Sequence, residues 1–231
     1  MTDDEGQVLF AWRDCLFRVP DRVQAPKAGS LFFCRHLAVQ RGQRVLELGA
    51  GLGLAAVLTA RAGAHVVATD ILPEAVDAIR ANAALNGVTV DARLGDGYAP
   101  VAGERFDLVC TNAPQMPTPP GRGRDDAQAA ADNGGRDGWE FLDRVLEGAV
   151  PHLSPGGRLV FSLFAFLGRK AAFAKLERQG FLPTVVASEM QSFPRLGYER
   201  LEYLRSLDHE GTLPAGVPAT VERLILLGSR P

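Results

Sequence analysis

Glu47-Leu48-Gly49-Ala50-Gly51-Leu52-Gly53 is the run of this chain whose residue types and spacing speak most directly of chemistry. It continues the apolar stretch Arg44–Leu48 and opens an Ala-rich helical pattern, so the chain turns tightly from strand to helix with backbone N–H groups at the helix start. A dinucleotide fingerprint needs its third glycine at position 54, which is Leu54; here the third glycine is Gly53. Gly-x-Gly-x-Gly after an acidic residue favours S-adenosylmethionine (SAM), which has no pyrophosphate and carries a sulfonium that Glu47 can balance with negative charge. Gly49, Ala50, Gly51 and Gly53 then pass under the ligand. Asp70 lies about 20 residues beyond the first glycine, where a carboxylate accepts hydrogen bonds from two ribose hydroxyls, and capping of the next helix is its other use. Ile71 would pack on the adenine. Asp96, followed by Gly97, either accepts the adenine amino group or merely makes a turn.

A second cluster, Asn112-Ala113-Pro114-Gln115, ends the strand-like run Phe106–Thr111, and ligand crevices form at the carboxyl ends of strands in wound α/β sheets. Pro114 keeps Ala113 out of helical geometry and turns its carbonyl outward. The amide of Gln115 can pair with a polar acceptor molecule. The order of Val45–Gly51, Ala68–Ile71 and Asn112–Gln115 resembles the class I SAM-dependent methyltransferases that carry an Asn-Pro-Pro-Tyr-type motif, the release-factor glutamine methyltransferases above all. Asp132–Gly138, Phe141-Leu142 and Leu153–Gly157 look like the same family's downstream signature. The resemblance implies that the Asn112 side chain and the Ala113 carbonyl accept hydrogen bonds from an amide and aim its nitrogen at the SAM methyl, leaving S-adenosyl-L-homocysteine. It also implies that Ser30, in Pro26-Lys27-Ala28-Gly29-Ser30, reaches the methionine carboxylate; a helix N-cap is the alternative.

Gln115 stands where that family has Tyr, so an aromatic face for the acceptor is missing. Relatives in bacteria carry a helical substrate domain for which residues 1–41 are too short. The expected activity is therefore N-methylation of a small polar metabolite. A protein-glutamine methyltransferase and a non-catalytic SAM-binding module are the alternatives, and Leu54 disfavours an NAD-dependent oxidoreductase.

The elements that must position these residues alternate between two periods. Arg44–Leu48, His65–Asp70, Val88–Leu94, Phe106–Thr111 and Arg158–Phe164 read as buried strands, with helical stretches between them that stop at Gly63, Gly87 and Gly180. Gly138–Val150 places Trp139, Leu142, Leu146 and Ala149 on one helical face, which makes Trp139 a core residue. Thr184–Ala187 and Val221–Leu227 read as a closing antiparallel pair. The expected fold is α/β: a Rossmann-like, doubly wound, mostly parallel seven-stranded sheet with a C-terminal antiparallel hairpin. One domain, 1–231, is expected, with 1–41 as lid or substrate segment and 42–231 as catalytic core. Residues 1–40 and Pro114–Asp137 receive no element, and the latter is long enough to be a functional loop. Arg122, Arg124 and Arg136 in it either attract an acidic substrate or form a solvated face.

Lys plus Arg number 25 against 27 Asp plus Glu, so no global field draws the chain to nucleic acid or an anionic membrane. No apolar run has membrane-spanning length and the acidic N-terminus is no signal peptide, which makes a cytoplasmic location the expectation. Cys15, Cys34 and Cys110 lack ligand spacing, and the four histidines make no pair, so no metal site is expected and free thiols are. The partners expected are a small-molecule acceptor before a protein, no nucleic acid, no membrane, and a second copy through the final hairpin's edge.

Overall fold

The computed structural model describes residue 2, residues 8–122 and residues 132–230. Five parallel strands are built first: β3 (Arg44–Leu48), β4 (His65–Asp70), β5 (Val90–Leu94), β6 (Phe106–Thr111) and β7 (Leu153–Phe164). They join β8 (Leu182–Ser192) and β9 (Thr220–Ser229) in one seven-stranded sheet of order β5-β4-β3-β6-β7-β9-β8. Val45 pairs with Val66 and Leu108 in parallel register, whereas Phe161 pairs with Leu226 and Val185 with Leu226 in antiparallel register. The expected α/β sheet with its antiparallel ending is the observed one.

Alternation along each strand feeds two cores, because successive side chains leave a strand on opposite faces. Val45, Val66, Leu108, Val160 and Ile225 lie in one, with α1 (Ala28–His36), α2 (Leu54–Arg61) and α3 (Pro73–Leu85) over them. Leu46, Val67, Val109, Phe161 and Leu226 lie in the other, covered by α4 (Glu140–His152) and α5 (Arg169–Arg178). The apolar face of α4, Leu142, Val145, Leu146 and Ala149, is buried, and Trp139 before it is buried with its Nε1–H donating to the Leu167 carbonyl at 3.2 Å.

Several boundaries differ from the sequence reading. Val88 lies in the turn that closes α3, where its N–H donates to the Ala83 carbonyl, so β5 begins at Val90. The strands β7, β8 and β9 are longer than read, and the polar stretch before Tyr203 contains the end of β8 and two short helices, α6 (Arg195–Glu199) and α7 (Leu201–Leu207).

Residues left without an element contain an antiparallel hairpin, β1 (Val8–Trp12) and β2 (Cys15–Val19), besides α1. Asn82 of α3 and Asn86, the residue that caps its C-terminus, hold that hairpin: Asn82 Oδ1 and Asn86 Oδ1 accept the N–H of Arg18 and Leu16 at 2.8 and 2.9 Å, and their amide groups donate back to the same residues' carbonyls. Arg124 lies outside the described residues. Asp132–Gly135 pairs with Met116–Thr118 through the bonds Met116 N–H to Asp132, Gly134 N–H to Met116 and Thr118 N–H to Gly135. Among the described residues no helix is long and apolar enough to cross a membrane.

Candidate active site

The carboxyl ends of β3, β4, β5 and β6 open into one cavity of about 300 Å3. In the loop after β3, Gly49, Gly51 and Gly53 have φ of 65°, 57° and 84°, left-handed values that glycine adopts without a Cβ penalty. The loop's donors are mostly spent inside the protein. Gly49 and Ala50 N–H donate to the Thr69 carbonyl, Gly51 N–H to Asp70 Oδ2 at 2.9 Å, and Gly53 N–H to the Ala50 carbonyl. The anticipated row of open N–H groups is thus not there, and a pyrophosphate would find little to bind, which agrees with the reading from Gly53 against a dinucleotide. Gly53 itself stands away from the cavity wall. A Cβ on it would meet Ile79 at 3.2 Å, so its role is close helix packing.

Glu47, Asp70, Ile71, Asp96 and Gly97 all line the cavity with Gly49, Ala50 and Gly51. Glu47 is 5% exposed and its Oε2 has no hydrogen-bond partner. Burial pushes its carboxyl up to about 8, against the lowering effect of the Ala56 N–H. A buried carboxylate oxygen without a partner is costly, and a cationic ligand group would satisfy it. Asp70 is also pushed upward by burial while the Leu72, Gly51 and Ile71 N–H groups pull it down. Its Oδ1 accepts the Leu72 N–H at 3.0 Å, a bond to the residue that precedes α3 and not a cap on that helix, so the capping alternative does not hold, and the carboxylate lines the cavity. Ile71 is 59% exposed, an apolar platform at the cavity mouth. Asp96 is ion-paired to Arg144. These groups fit SAM: an unsatisfied acid for a cation, a carboxylate at the strand end for hydroxyls, and an apolar surface for a flat ring.

At the other end of the cavity stand Asn112, Pro114 and Ser30. Ser30 is the third residue of α1, whose N-cap is Lys27, so the capping alternative for Ser30 does not hold. Ala113 and Gln115 are buried behind the wall. Gln115, 2% exposed, receives the Phe164 N–H on Oε1 at 3.0 Å and donates through Nε2 to Ser162 O at 2.8 Å, Ser162 Oγ at 3.1 Å and Ala113 O at 3.2 Å. Its amide is consumed by β7 and cannot reach an acceptor molecule, which corrects the reading of position 115 as substrate-facing. Ser162 Oγ in turn donates to Asn112 Oδ1 at 2.5 Å.

Sequence reasoning missed the wall made by Arg22–Pro26, the α4 residues Phe141 and Arg144, and Arg223 of β9 behind Asn112. Phe141 carried a signal in its neighbourhood to the Asp132–Gly138 run; Arg223 carried none. Among the described residues no group of three His, Cys, Asp or Glu side chains is placed to hold a metal, and the three cysteines are buried and unpaired.

The methyltransferase small domain family matches residues 24–123. A putative protein N5-glutamine methyltransferase of Methanocaldococcus jannaschii is 32% identical over 175 residues, which span 75% of this chain and 88% of that protein. A release factor glutamine methyltransferase of Cereibacter sphaeroides is 35% identical over 172 residues, 68% of this chain and 59% of the relative. Among solved structures, an E. cuniculi complex responsible for methylation of the eRF1 translation termination factor aligns with TM-score 0.63 at 19% identity, covering 91% of this chain and 99% of that one. A T. thermophilus 16S rRNA N2 methyltransferase in complex with AdoMet and guanosine aligns with TM-score 0.62 at 20% identity, covering 97% and 50%. At such identities these two likenesses establish the fold alone. The named relatives overturn the expectation of a small-molecule acceptor, since the proteins matched over most of this chain are named for glutamine in proteins. Cofactor cradle, strand order and sequence relatives agree: the chain belongs to the class I SAM-dependent methyltransferases, as an N-methyltransferase of the methyltransferase small domain family.

Proposed function

We propose that this chain methylates the side-chain amide nitrogen of a glutamine in a protein, a release factor being the first substrate to test. The observation that carries the reading is Asn112 at the carboxyl end of β6, lining the cavity that Glu47 and Asp70 line on its cofactor side. It is supported by relatives named for protein glutamine and by the loss of Gln115 as a metabolite-binding group. SAM, when bound, supplies an electrophilic methyl: the N–C bond forms as the C–S bond breaks, sulfur keeps the electron pair, and the nitrogen sheds a proton to water.

The chain's own contribution is position. In-line alignment of nitrogen and methyl supplies much of the acceleration in such transfers, and no general base is needed at Asn112. Glu47 neutralises the cofactor's positive charge, Asp70 holds its hydroxyls, and Ser30 with the Arg22–Pro26 wall closes the N-terminal side of the cavity. Pro114 stiffens the strand end that presents Asn112.

Labelled methyl from SAM, offered to a host extract divided into protein and small-molecule fractions, tests the proposal with Asn112→Ala as control. Label in a release factor, lost in the variant, is the expected result. Label confined to small molecules refutes it, and label in ribosomal proteins alone moves the acceptor to a different protein.

A further inference from the structure

Asn133 lines the cavity from a segment that lies outside the main sheet. It bridges to Met116, and the bonds on either side of it, Met116 N–H to the Asp132 carbonyl and Gly134 N–H to the Met116 carbonyl, lay it along the chain that leaves β6 past Pro114. Gly134 runs so close there that a Cβ on it would sit 2.7 Å from the Gln115 backbone. Asn133 therefore stands at the acceptor end of the cavity. Its amide has one orientation. The Gly135 N–H must donate, so the atom it meets at 2.9 Å is Oδ1. The Thr118 hydroxyl meets the same oxygen at 2.7 Å. Arg200, a donor only, points Nη1 at Thr118 Oγ1 and at the Pro117 carbonyl, both at 2.9 Å, so the Thr118 hydroxyl keeps its own proton to give to Asn133. Thr118 and Arg200 are buried, which shields this chain of bonds from water. Both lone pairs of the Asn133 oxygen are engaged inside the protein, and Nδ2 is what the exposed side chain has left to offer the cavity.

Glu140 lines the cavity as well, and its carboxylate lies against Gly135, which has a φ of 80° and no Cβ to stand in the way. A donor, Asn133 Nδ2, and an acceptor, the Glu140 carboxylate, are thus both placed at one glycine. They are the complement of a peptide main chain, whose residues each offer one C=O and one N–H.

We infer that Asn133 and Glu140 hold the main chain of the acceptor protein beside the methylated glutamine, Asn133 Nδ2 donating to a backbone carbonyl and Glu140 accepting a backbone N–H. Thr118 and Arg200 are the positioning residues that turn the Asn133 oxygen away from the cavity. This rests on the protein-glutamine reading and deepens it, because it names what is recognised besides the reacting side chain. It also gives the site a selectivity. Main-chain bonds supply affinity without reading the side chains around them, so the site asks for a glutamine within an extended segment and not for a particular flanking sequence.

Steady-state kinetics of the full chain on a purified release factor, with SAM saturating, test this. Asn133→Asp keeps an acceptor for Thr118 and Gly135 and loses the donor, whereas Asn133→Ala loses the donor without adding charge. These two variants and Glu140→Ala are each expected to raise KM for the release factor about tenfold, with kcat within about threefold and SAM affinity within about twofold. Thr118→Val, which removes the hydroxyl that anchors Asn133, is expected to raise the same KM about threefold, and Thr118→Ser to restore it. A KM within about twofold of wild type in Asn133→Ala or Glu140→Ala overturns the inference. A rise confined to Asn133→Asp overturns it too, since added charge and not the lost donor would then be responsible. The melting temperature of Asn133→Asp is expected to match that of the wild type, and a fall of several degrees overturns the orientation. A wild-type enzyme that methylates no release factor or other glutamine-bearing protein overturns the protein-glutamine reading and this inference with it, whereas normal methylation with unchanged KM in the variants overturns the inference alone.

Discussion

At the residue scale, Glu47 joins the site's electrostatics to its folding. Its carboxyl sits at about 8 in the folded chain and at the ordinary 4.5 when unfolded, so the folded state holds the proton more tightly between those values. Stability from this group is full below 4.5 and is lost as pH rises toward 8. A bound cation favours the ionised form, so SAM affinity should rise with pH over the same window and binding near pH 7 should release a proton. Calorimetry in two buffers of different ionisation enthalpy reads that proton. Glu47→Gln should abolish its release, flatten the dependence of melting temperature on pH between 5 and 8, and weaken SAM at least tenfold, about 1.4 kcal/mol. Unchanged proton release in the variant would remove Glu47 from the account.

Gln115 yields a second prediction at this scale. The motif of the family resemblance has Tyr there, yet the slot is a buried one strung between β6 and β7. Gln115→Tyr leaves the Phe164 N–H and the Ser162 carbonyl without their partner and adds ring volume to a packed core, so it should cost more than about 2 kcal/mol of stability. Denaturant unfolding checks this, and a variant as stable as wild type with higher activity would return position 115 to the substrate side.

At the element scale, α3 is what fastens the N-terminal hairpin to the cofactor loop. Asn82 Nδ2 donates to Leu52 O in the glycine loop at 2.9 Å as well as to Arg18 O of β2 at 3.1 Å, so one buried side chain braces both. Asn82→Ala leaves one donor and two acceptors of the backbone unpaired, a loss of about 2–4 kcal/mol if water does not reach them. Weaker SAM binding and faster proteolytic cleavage in the hairpin are the expected companions; intact resistance to protease would mean that apolar packing alone holds β2. This brace was not legible in the sequence, because Asn82 and Asn86 sit in a helical pattern and their partners are 64 and 70 residues away. The parallel strands were legible for the opposite reason. His65–Asp70 and Phe106–Thr111 are buried on both faces, so their apolar runs are continuous, and their boundaries emerged as read. That Glu47, Gly49–Gly51, Asp70, Ile71, Asp96 and Gly97 gather around one cavity followed from the same local logic, one turn after each strand. The hydrogen bonds that fix Asn112 did not, since Ser162 and Arg223 come from strands far along the chain and look like ordinary strand residues.

At the scale of the whole molecule, the sheet divides the labour. Its parallel part, β3 to β5, supplies the cavity residues proposed to meet the cofactor; β7 and β9 supply Ser162 and Arg223, which bond to Asn112; β6 carries Asn112 between them. Each part is tied to its own neighbours by backbone pairing, interrupted in β8 by a register shift between Val185 and Ala187, so the cofactor should order one part without reshaping the other. SAM present at about 100 times its Kd adds about 2.7 kcal/mol to the stability of a form that alone binds it. For a domain of this size that corresponds to a rise of about 5–11 °C in melting temperature. Hydrogen exchange locates the gain: amides of Gly49–Leu54, the end of β4 and Gly95–Gly97 should slow most strongly, while those of β8 keep their rates up to the global limit. Selective slowing across β8 would show that the cofactor reorganises the antiparallel end, and Ser162 and Arg223 would then have to be regarded as moving with the ligand and not as a frame already set for Asn112.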